Sequence, residues 1–279
     1  MEESTLTTYT AMDGENLALQ DWPLPRNRPP RGIVLLVHGL GEHAGRYERL
    51  ARRLNEWGFA VRGYDQYGHG ESGGPRGGLS SDSRLLDDLA DMLDSTRASM
   101  DKTTPLILFG HSLGGLVAAR LVALKLCPVQ ALVLSSPALE LGLNAFQRLM
   151  LAVMPRIAPD LRVGSGLDPG LISHDPAQVQ AYRDDPLIHD RISGRLARFM
   201  SVAGAATRAH APRWSVPTLL LYGGADRLVK PAGSRAFAAA APPQVVRAQC
   251  FEDLYHEILN ETDPEPVYAA LKTWLDARF

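Results

Sequence analysis

Short runs of branched apolar residues alternate with longer stretches of helical periodicity along most of the 279-residue chain. The clearest run is residues 33–37, Ile-Val-Leu-Leu-Val, which is the pattern of a strand buried on both faces of a sheet. Helical spacing follows in Leu50, Leu54 and Trp57, and Gly58 closes that helix. Further strands are predicted over residues 59–64, 105–110, 131–135, 218–222 and 245–251, and further helices over 83–100, 113–126, after 231 and at the C-terminal end. Strands that alternate with helices predict an α/β fold whose mostly parallel sheet is covered on both faces.

The alternation breaks between about residues 137 and 212, where helix-like pieces occur with no convincing strand between them. Helical segments are predicted here over residues 146–153, 176–183 and 192–208. We therefore predict a core formed by residues 1–136 and 213–279, with an inserted helical cap, or lid, formed by residues 137–212.

Apolar residues crowd one part of the predicted cap, and Arg148 and Arg156 flank them. The run comprises Phe146, Leu149, Met150, Leu151, Val153 and Met154. A buried helix accounts for such a run, since apolar residues at helical spacing commonly face a core. A lipid-facing lid accounts for it as well, because methionines adapt to varied acyl surfaces and the arginines would meet anionic head groups. The sequence leaves both interpretations open.

Composition describes an ordinary globular chain, in which 45% of residues are hydrophobic and 22% are charged. The 29 basic and 31 acidic side chains leave a formal net charge of −2, so no nucleic-acid partner is expected. Two cysteines, Cys127 and Cys250, are too few for a disulfide framework and indicate a reducing compartment. The N-terminus lacks the apolar stretch of a signal peptide, and no run of about 18 apolar residues would span a bilayer. We expect a cytoplasmic protein.

Gly110-His111-Ser112-Leu113-Gly114 matches the G-x-S-x-G pattern and lies between a predicted buried strand and a predicted helix. The pattern needs a sharp turn that lifts the serine oxygen above the sheet, and residues with little or no side chain leave room for that turn. The pentapeptide alone occurs by chance, but its position between a strand and a helix is the context that the chemistry requires. We therefore predict that Ser112 is a nucleophile.

A serine hydroxyl is a weak nucleophile until a neighbouring base removes its proton. In folds of this kind an acid and then a histidine follow the serine, each on a loop after a later strand. Asp226 and His256 follow the last two predicted strands in that order, which predicts a catalytic triad with Ser112. Asp253 and Glu140 are rival acids, but Asp253 is too close in sequence to the histidine to reach it easily around its own loop.

The tetrahedral intermediate of acyl transfer needs backbone donors for its oxyanion. One predicted donor is the N–H of Leu113, the residue after the nucleophile. The other is predicted on the loop at residues 38–41, where position favours Leu40. The histidines near this loop lack the spacing of metal ligands. The predicted reaction therefore needs no metal and no cofactor.

Five sequence blocks, in order over nearly the whole chain, closely resemble those of monoacylglycerol lipases. They are HGLGEHAGRY at residues 38–47, DQYGHGES at 65–72, GHSLGG at 110–115, GADRL at 224–228 and YH at 255–256. The first block is long and specific, whereas the serine pentapeptide alone would not be. The resemblance implies the α/β-hydrolase fold with an inserted cap, and hydrolysis of monoacylglycerols or similar long-chain acyl esters.

By the same resemblance, Glu42 and Arg46 would bind the substrate near its glycerol end, and the cap would meet a lipid or membrane surface as a transient peripheral contact. The residues alone suggest an alternative for this pair, since two opposite charges four positions apart pair with each other at the start of a helix. Leu259 stands where the vertebrate enzymes carry a second histidine that helps to hold glycerol. This departure leaves the preferred head group open.

Two other functions remain as alternatives. A lysophospholipase or a broad carboxylesterase would use the same triad on a different ester. A receptor that keeps a hydrolase pocket without turnover is an alternative of another class, since a fold does not determine a function. Loss of ester turnover in Ser112→Ala distinguishes an enzyme from such a receptor.

Overall fold

The computed structural model describes residues 3–11, 13–25, 28–142, 153 and 155–279. Within them the strands are β1 (Thr5–Thr10), β2 (Asn16–Trp22), β3 (Gly32–Val37), β4 (Phe59–Tyr64), β5 (Leu106–His111), β6 (Ala131–Ser135), β7 (Arg162–Gly164), β8 (Arg191–Ser193), β9 (Thr218–Gly223) and β10 (Val246–Phe251). Eight of these strands form one sheet in the order β1-β2-β4-β3-β5-β6-β9-β10. The β1–β2 and β2–β4 pairs are antiparallel, and every other pair in this sheet is parallel. The mostly parallel sheet predicted from the sequence is confirmed.

Helices cover both faces of this sheet. The α-helices among the described residues are α1 (Glu48–Glu56), α2 (Arg84–Ala98), α3 (Ser112–Leu124), α4 (Pro176–Asp184), α5 (Gly194–His210), α6 (Pro231–Ala240) and α7 (Glu265–Asp276), of which α4 has no buried residue. Leu35 and Val37 of β3 join one apolar cluster with α2, α3, α5 and α6, while Val34 and Leu36 join another with α1 and α7. Neighbouring residues of a strand point to opposite faces, so a continuous apolar strand supplies both clusters. The sheet is covered on both faces, as predicted.

The strand directions bring four loops to one edge of the sheet. β3, β5, β9 and β10 are parallel, so the chain leaves all four at the same edge. Glu42 follows β3, Ser112 follows β5, Asp226 follows β9 and His256 follows β10. The topology therefore gathers residues that lie far apart in the sequence.

The segment between β6 and β9 contacts the loops at this edge. The backbone N–H of His189 donates to the carbonyl oxygen of Gly41 at 2.9 Å, and that of Glu257 donates to Ile172 at 2.7 Å. The predicted helices over residues 176–183 and 192–208 correspond to α4 and α5. None of the helices among the described residues is long and apolar enough to cross a membrane.

The prediction that this segment contains no strand is wrong. β7 and β8 pair antiparallel, with Arg162 opposite Ser193 and Gly164 opposite Arg191. Each strand has three residues and β7 is exposed throughout, so no apolar alternation marks it in the sequence. Of the apolar run in the predicted cap, Val153 is described and exposed. The remainder lies outside the described residues, namely Phe146, Leu149, Met150, Leu151 and Met154.

Candidate active site

Ser112 stands at a tight turn between β5 and α3. Its φ is 50°, in the left-handed region that residues other than glycine adopt only at a cost. A Cβ on Gly110 would lie 2.5 Å from the carbonyl oxygen of Gly114, and one on Gly114 would lie 2.2 Å from that of Val37. Only glycine fits at these two positions. The motif therefore folds as a strand–turn–helix element, with Ser112 9% exposed at the turn.

Asp226 and His256 contact each other on the loops after β9 and β10. The Nδ1–H of His256 donates to Asp226 Oδ2 at 2.7 Å, and both residues are buried. Asp226 Oδ1 accepts from the backbone N–H groups of Leu228 at 2.8 Å and Val229 at 3.0 Å. The carboxylate is thus held by three donors, and its contact with Nδ1 leaves the opposite ring nitrogen of the histidine available.

Burial and pairing act in opposite directions on this pair. Burial lowers the pKa of His256, but the Asp226 carboxylate and its hydrogen bond outweigh burial and raise that pKa above its ordinary value. Burial raises the pKa of Asp226, but His256 and the backbone donors leave that pKa below its ordinary value. The arrangement favours an imidazolium beside a carboxylate. The rival acid Glu140 instead faces Lys230 at 3.9 Å.

Ser112 and His256 line one cavity of about 300 Å³. Leu40 also lines it, and among the described residues its backbone N–H donates to no hydrogen-bond acceptor. Leu113 is buried in the first turn of α3, where backbone N–H groups have no partner within the helix. Of the two predicted oxyanion donors, Leu113 therefore lies directly after Ser112 in the serine turn, and Leu40 lies in the cavity wall.

Glu42 and Arg46 pair with each other beside this cavity. Arg46 Nη1 donates to Glu42 Oε2, as the alternative interpretation of their spacing expects. Glu42 Oε1 accepts from the N–H of Gly39 and from the hydroxyl of Tyr47, each at 2.6 Å. Burial raises the pKa of Glu42, but Arg46 and the nearby histidines hold it at about 2. Glu42 lines the cavity with Ser112, whereas Arg46 lines a smaller cavity that adjoins it.

Glu257 and Leu259 follow His256 on the same loop. Glu257 Oε1 and Oε2 accept from Arg46 Nη1 at 2.7 Å and Nη2 at 2.9 Å. Leu259 is buried in the apolar cluster of α1 and α7 and lines the smaller cavity. Glu257 belongs to none of the sequence motifs, and the only signal for it was its position directly after the predicted histidine.

A second cavity of about 490 Å³ adjoins the first. Leu40, Leu141, Met200 and Leu228 line both cavities. Much of the remaining wall of the second cavity comes from apolar residues between β6 and β9, namely Pro155, Ala158, Leu161, Val163, Leu171 and Ile192. An apolar cavity of this size beside Ser112 and His256 has room for a long hydrocarbon chain.

Comparison with known proteins agrees with this architecture. Residues 28–263 match the family described as serine aminopeptidase, S33. The monoacylglycerol lipase of Mycolicibacterium smegmatis is 33% identical over 271 residues, which cover 96% of this chain and 95% of that protein. The monoglyceride lipase of Homo sapiens is 31% identical over 274 residues, which cover 95% of this chain and 88% of that protein. This chain belongs to the monoacylglycerol lipase family of α/β-hydrolases.

The crystal structure of a Paleococcus ferrophilus monoacylglycerol lipase is similar over 94% of this chain and 99% of that one, with a TM-score of 0.84 and 36% identity. The family and the α/β-hydrolase fold predicted from the sequence are confirmed. In this member of the family, Ser112, His256, Leu40 and Glu42 line one cavity, and Asp226 is hydrogen-bonded to the histidine. The remaining predicted site residues are Leu113, directly after the serine, and Arg46, in the wall of the smaller cavity.

Proposed function

We propose that the chain hydrolyses monoacylglycerols and that Ser112, Asp226 and His256 form its catalytic triad. The observation that carries the proposal is the 2.7 Å hydrogen bond between His256 and Asp226, with His256 and Ser112 in the wall of one cavity. As a member of this family the chain is a carboxylic ester hydrolase with a lipid ester substrate. The relatives named above are lipases of monoacylglycerol, which points to that head group.

Acylation begins when His256 Nε2 takes the proton of the Ser112 hydroxyl and the serine oxygen attacks the ester carbonyl carbon. Asp226 stabilises the imidazolium that forms. The N–H groups of Leu40 and Leu113 donate to the oxyanion of the tetrahedral intermediate. When the intermediate collapses, its bond to the glycerol oxygen breaks, His256 gives that oxygen its proton, and the acyl chain stays on Ser112.

Deacylation repeats these steps with water in place of serine. His256 takes a proton from the water molecule, whose oxygen attacks the acyl carbon. The bond to the Ser112 oxygen then breaks, and His256 returns the proton to the serine. The products are a fatty acid and glycerol, and the scheme uses no metal and no cofactor.

Residues 137–212 act as a cap on a core of residues 1–136 and 213–279. Supporting this division, the segment supplies Leu161, Val163 and Ile192 to the wall of the larger cavity. The acyl chain of the substrate lies in this cavity, where each buried methylene contributes about 0.8 kcal/mol to binding. The cap therefore determines how long a chain the enzyme accepts.

The glycerol end of the substrate lies near Glu42 and Arg46. Glu42 is an acceptor in the cavity wall beside Ser112, suited to hydroxyl groups, while Arg46 holds the carboxylate from behind. Leu259 offers no hydrogen bond to glycerol, since it is an aliphatic residue of the apolar cluster. Recognition of the head group then depends mainly on Glu42.

The cap contacts lipid surfaces transiently. Three of its large apolar side chains are exposed: Ile157 is 75% exposed, Leu161 51% and Val163 52%. Each such side chain that enters a lipid surface contributes about 1.5–3 kcal/mol. Monoacylglycerols are held in membranes and micelles, so this contact brings the larger cavity next to its substrate.

A substrate panel of 4-nitrophenyl esters, mono-, di- and triacylglycerols and lysophospholipids tests the function. Monoacylglycerol turnover should be well above triacylglycerol turnover, because the cavity beside Ser112 leaves little room for further acyl chains. Ser112→Ala should lower turnover by about 10⁶-fold, as removal of a triad nucleophile does. Triacylglycerol or lysophospholipid hydrolysis at an equal or higher rate would contradict the head-group assignment.

A fluorophosphonate should form its adduct on Ser112, because this hydroxyl has a base and oxyanion donors beside it. Ser135, at the end of the neighbouring strand β6, is the matched competing serine. Mass spectrometry that maps the adduct to Ser135 would refute the assignment of the nucleophile.

A further inference from the structure

Arg46 lies between two carboxylates that come from different loops. Its guanidinium donates to Glu42, on the loop after β3, and with two hydrogen bonds to Glu257, on the loop after β10. The three side chains are buried, with exposed fractions of 10% for Arg46, 5% for Glu42 and 6% for Glu257. The aromatic ring of Tyr182 in α4 covers the guanidinium, 4.7 Å from ring centre to Cζ. This cluster, Glu42–Arg46–Glu257, is named the clamp below.

One end of the clamp reaches the backbone that carries a proposed oxyanion donor. Glu42 Oε1 accepts from the N–H of Gly39 at 2.6 Å. The next peptide unit joins Gly39 to Leu40 and carries the Leu40 N–H. The carbonyl oxygen of that unit accepts from His38 Nδ1 at 2.7 Å. Because a peptide unit is planar and stiff, holding this carbonyl together with the Gly39 N–H limits where the Leu40 N–H can point.

The other end of the clamp reaches the proposed base. Glu257 is the residue directly after His256, and its backbone N–H donates to the carbonyl oxygen of Ile172 at 2.7 Å. Its carboxylate also accepts from Asn260 Nδ2 at 2.9 Å. The side chain and the backbone of Glu257 are therefore both held by hydrogen bonds. Because Glu257 is bonded to His256, these hydrogen bonds also limit the movement of the His256 backbone.

We propose that Arg46 and Glu257 are positioning residues, which through Glu42 hold the Leu40 N–H and the His256 ring in fixed relation to each other. The proposal rests on the proposed function, since this relation matters only if esters react at Ser112. A guanidinium suits the task because its donors lie in one rigid plane and can serve two carboxylates at once. A lysine ammonium is a point charge that lacks this planar geometry.

The clamp also carries a charge that bears on the base. Two carboxylates and one guanidinium leave one negative charge in excess in the clamp. Asp226, Glu257 and Glu42 all raise the pKa of His256, and the ring centre of His111 lies 4.8 Å from that of His256. Burial and the neighbouring His256 hold the pKa of His111 at about 4, so His111 is neutral near pH 7. The excess charge therefore stabilises the imidazolium that forms during catalysis.

Three variants measured on a monoacylglycerol and a soluble ester test the proposal: Glu257→Gln, Arg46→Lys and Arg46→Met. Each should lower kcat by roughly 10- to 100-fold, less than the loss of an oxyanion donor, with KM within about twofold of the wild type. Arg46→Lys should recover part of the loss seen in Arg46→Met. In Glu257→Gln the acid limb of kcat/KM should move to lower pH, because one negative charge near the imidazolium is gone.

An inhibitor pair isolates the geometric effect. A long-chain trifluoromethyl ketone adds to the serine and forms an oxyanion, whereas a neutral fatty alcohol of the same length occupies the cavity without one. In Glu257→Gln the inhibition constant of the ketone should rise by the same factor by which kcat/KM falls. The inhibition constant of the fatty alcohol should stay within about twofold of the wild-type value.

Asp88→Asn is the matched control for loss of a buried ion pair. Asp88 accepts from Arg84 at 2.8 Å within α2, both residues are buried, and neither lines the cavities described above. This control should lower the melting temperature and leave kcat and the ketone inhibition constant unchanged.

The outcomes separate this proposal from the proposed function. A wild-type chain that hydrolyses no ester refutes the proposed function. An active wild type with Glu257→Gln no different from Asp88→Asn in kcat and ketone inhibition overturns the clamp proposal alone. A rise in KM at unchanged kcat also overturns it, since the clamp would then bind substrate rather than position the reacting groups.

Discussion

The strands that lead to Ser112 and the segment between β6 and β9 differ in how deeply their residues are buried. β5 and β6 are buried at every residue, whereas β7 is exposed at every residue and α4 has no buried residue. Burial on both faces restrains the loops that follow β5 and β6. β7 and α4 lack such burial, whereas α5 of the same segment packs into the core cluster through Leu196, Met200 and Ala203. The contrast is therefore between the buried strands and the β7 and α4 part of this segment.

Polar contacts between side chains and loops contribute to holding the inserted segment on the core. His43 Nε2 contacts Asp185 Oδ2 at 2.9 Å, and His189 Nε2 donates to the carbonyl oxygen of Gly68 at 3.0 Å. Tyr182 packs on Arg46 of the clamp. Partly exposed polar contacts of this kind add little free energy each, so they join α4 and the loop after it to the core more weakly than the sheet joins its strands to one another.

A matched pair of leucine truncations should give the largest contrast between the regions. Leu134 in β6 is fully buried, so Leu134→Ala should lower the free energy of unfolding by about 2–5 kcal/mol. Leu161 is 51% exposed, and Leu161→Ala should change the free energy of unfolding by less than about 0.5 kcal/mol. Denaturant unfolding measures both values. Equal destabilisation would show that the inserted segment shares the core's packing.

Because Leu161 lines the larger cavity, Leu161→Ala should also lower the ratio of long-chain to short-chain ester hydrolysis. The rates are measured on esters that differ only in acyl length. A ratio equal to that of the wild type would mean that the acyl chain does not contact Leu161 in the larger cavity.

A charge on the exposed surface of the inserted segment should have a smaller effect. Ile157 is 75% exposed and lines none of the cavities described above. Ile157→Asp should therefore weaken liposome binding by about 10- to 150-fold, which corresponds to the 1.5–3 kcal/mol of one inserted side chain. The melting temperature should not change. Vesicle cosedimentation measures the binding.

Leu6→Asp is the matched control, since Leu6 lies on the edge strand β1 and is 70% exposed. Its liposome binding should equal that of the wild type. An equal loss in both variants would mean that lipid contact is not a property of the inserted segment.

The smallest effect concerns pH. His256 accepts a proton only when neutral, and its pKa is raised, so activity should begin to fall at a pH above the ordinary value of about 6.5 as the solution is acidified. Because His256 belongs to the core, the acid limb of kcat/KM should be the same for a short soluble ester and for a micellar monoacylglycerol. His210→Gln, on α5 and away from the cavities, should leave the limb in place. If the acid limb lay at different pH values for the two substrates, the protonation of His256 would depend on the segment between β6 and β9.

Much of the core could be predicted because its residues carry a local signal. Strands buried on both faces form continuous apolar runs, and β4 and β6 have the predicted bounds. The turn at Ser112 is marked by glycines at positions where a Cβ would clash with backbone atoms. β7 and β8 could not be predicted, because each has only three residues, too few to show a hydrophobic period.

The sequence by itself determined the α/β fold, the family and the order in which Ser112, Asp226 and His256 occur, because these depend on local periodicity and on motifs. Only the tertiary structure decided which charges meet. Arg46 is paired with Glu42 four residues away and with Glu257 more than 200 residues away, since parallel strands end at one edge of the sheet. It likewise decided that Leu259 faces the apolar cluster. Such contacts depend on which loops lie next to each other in the folded chain. The spacing of residues along the sequence gives no information about that.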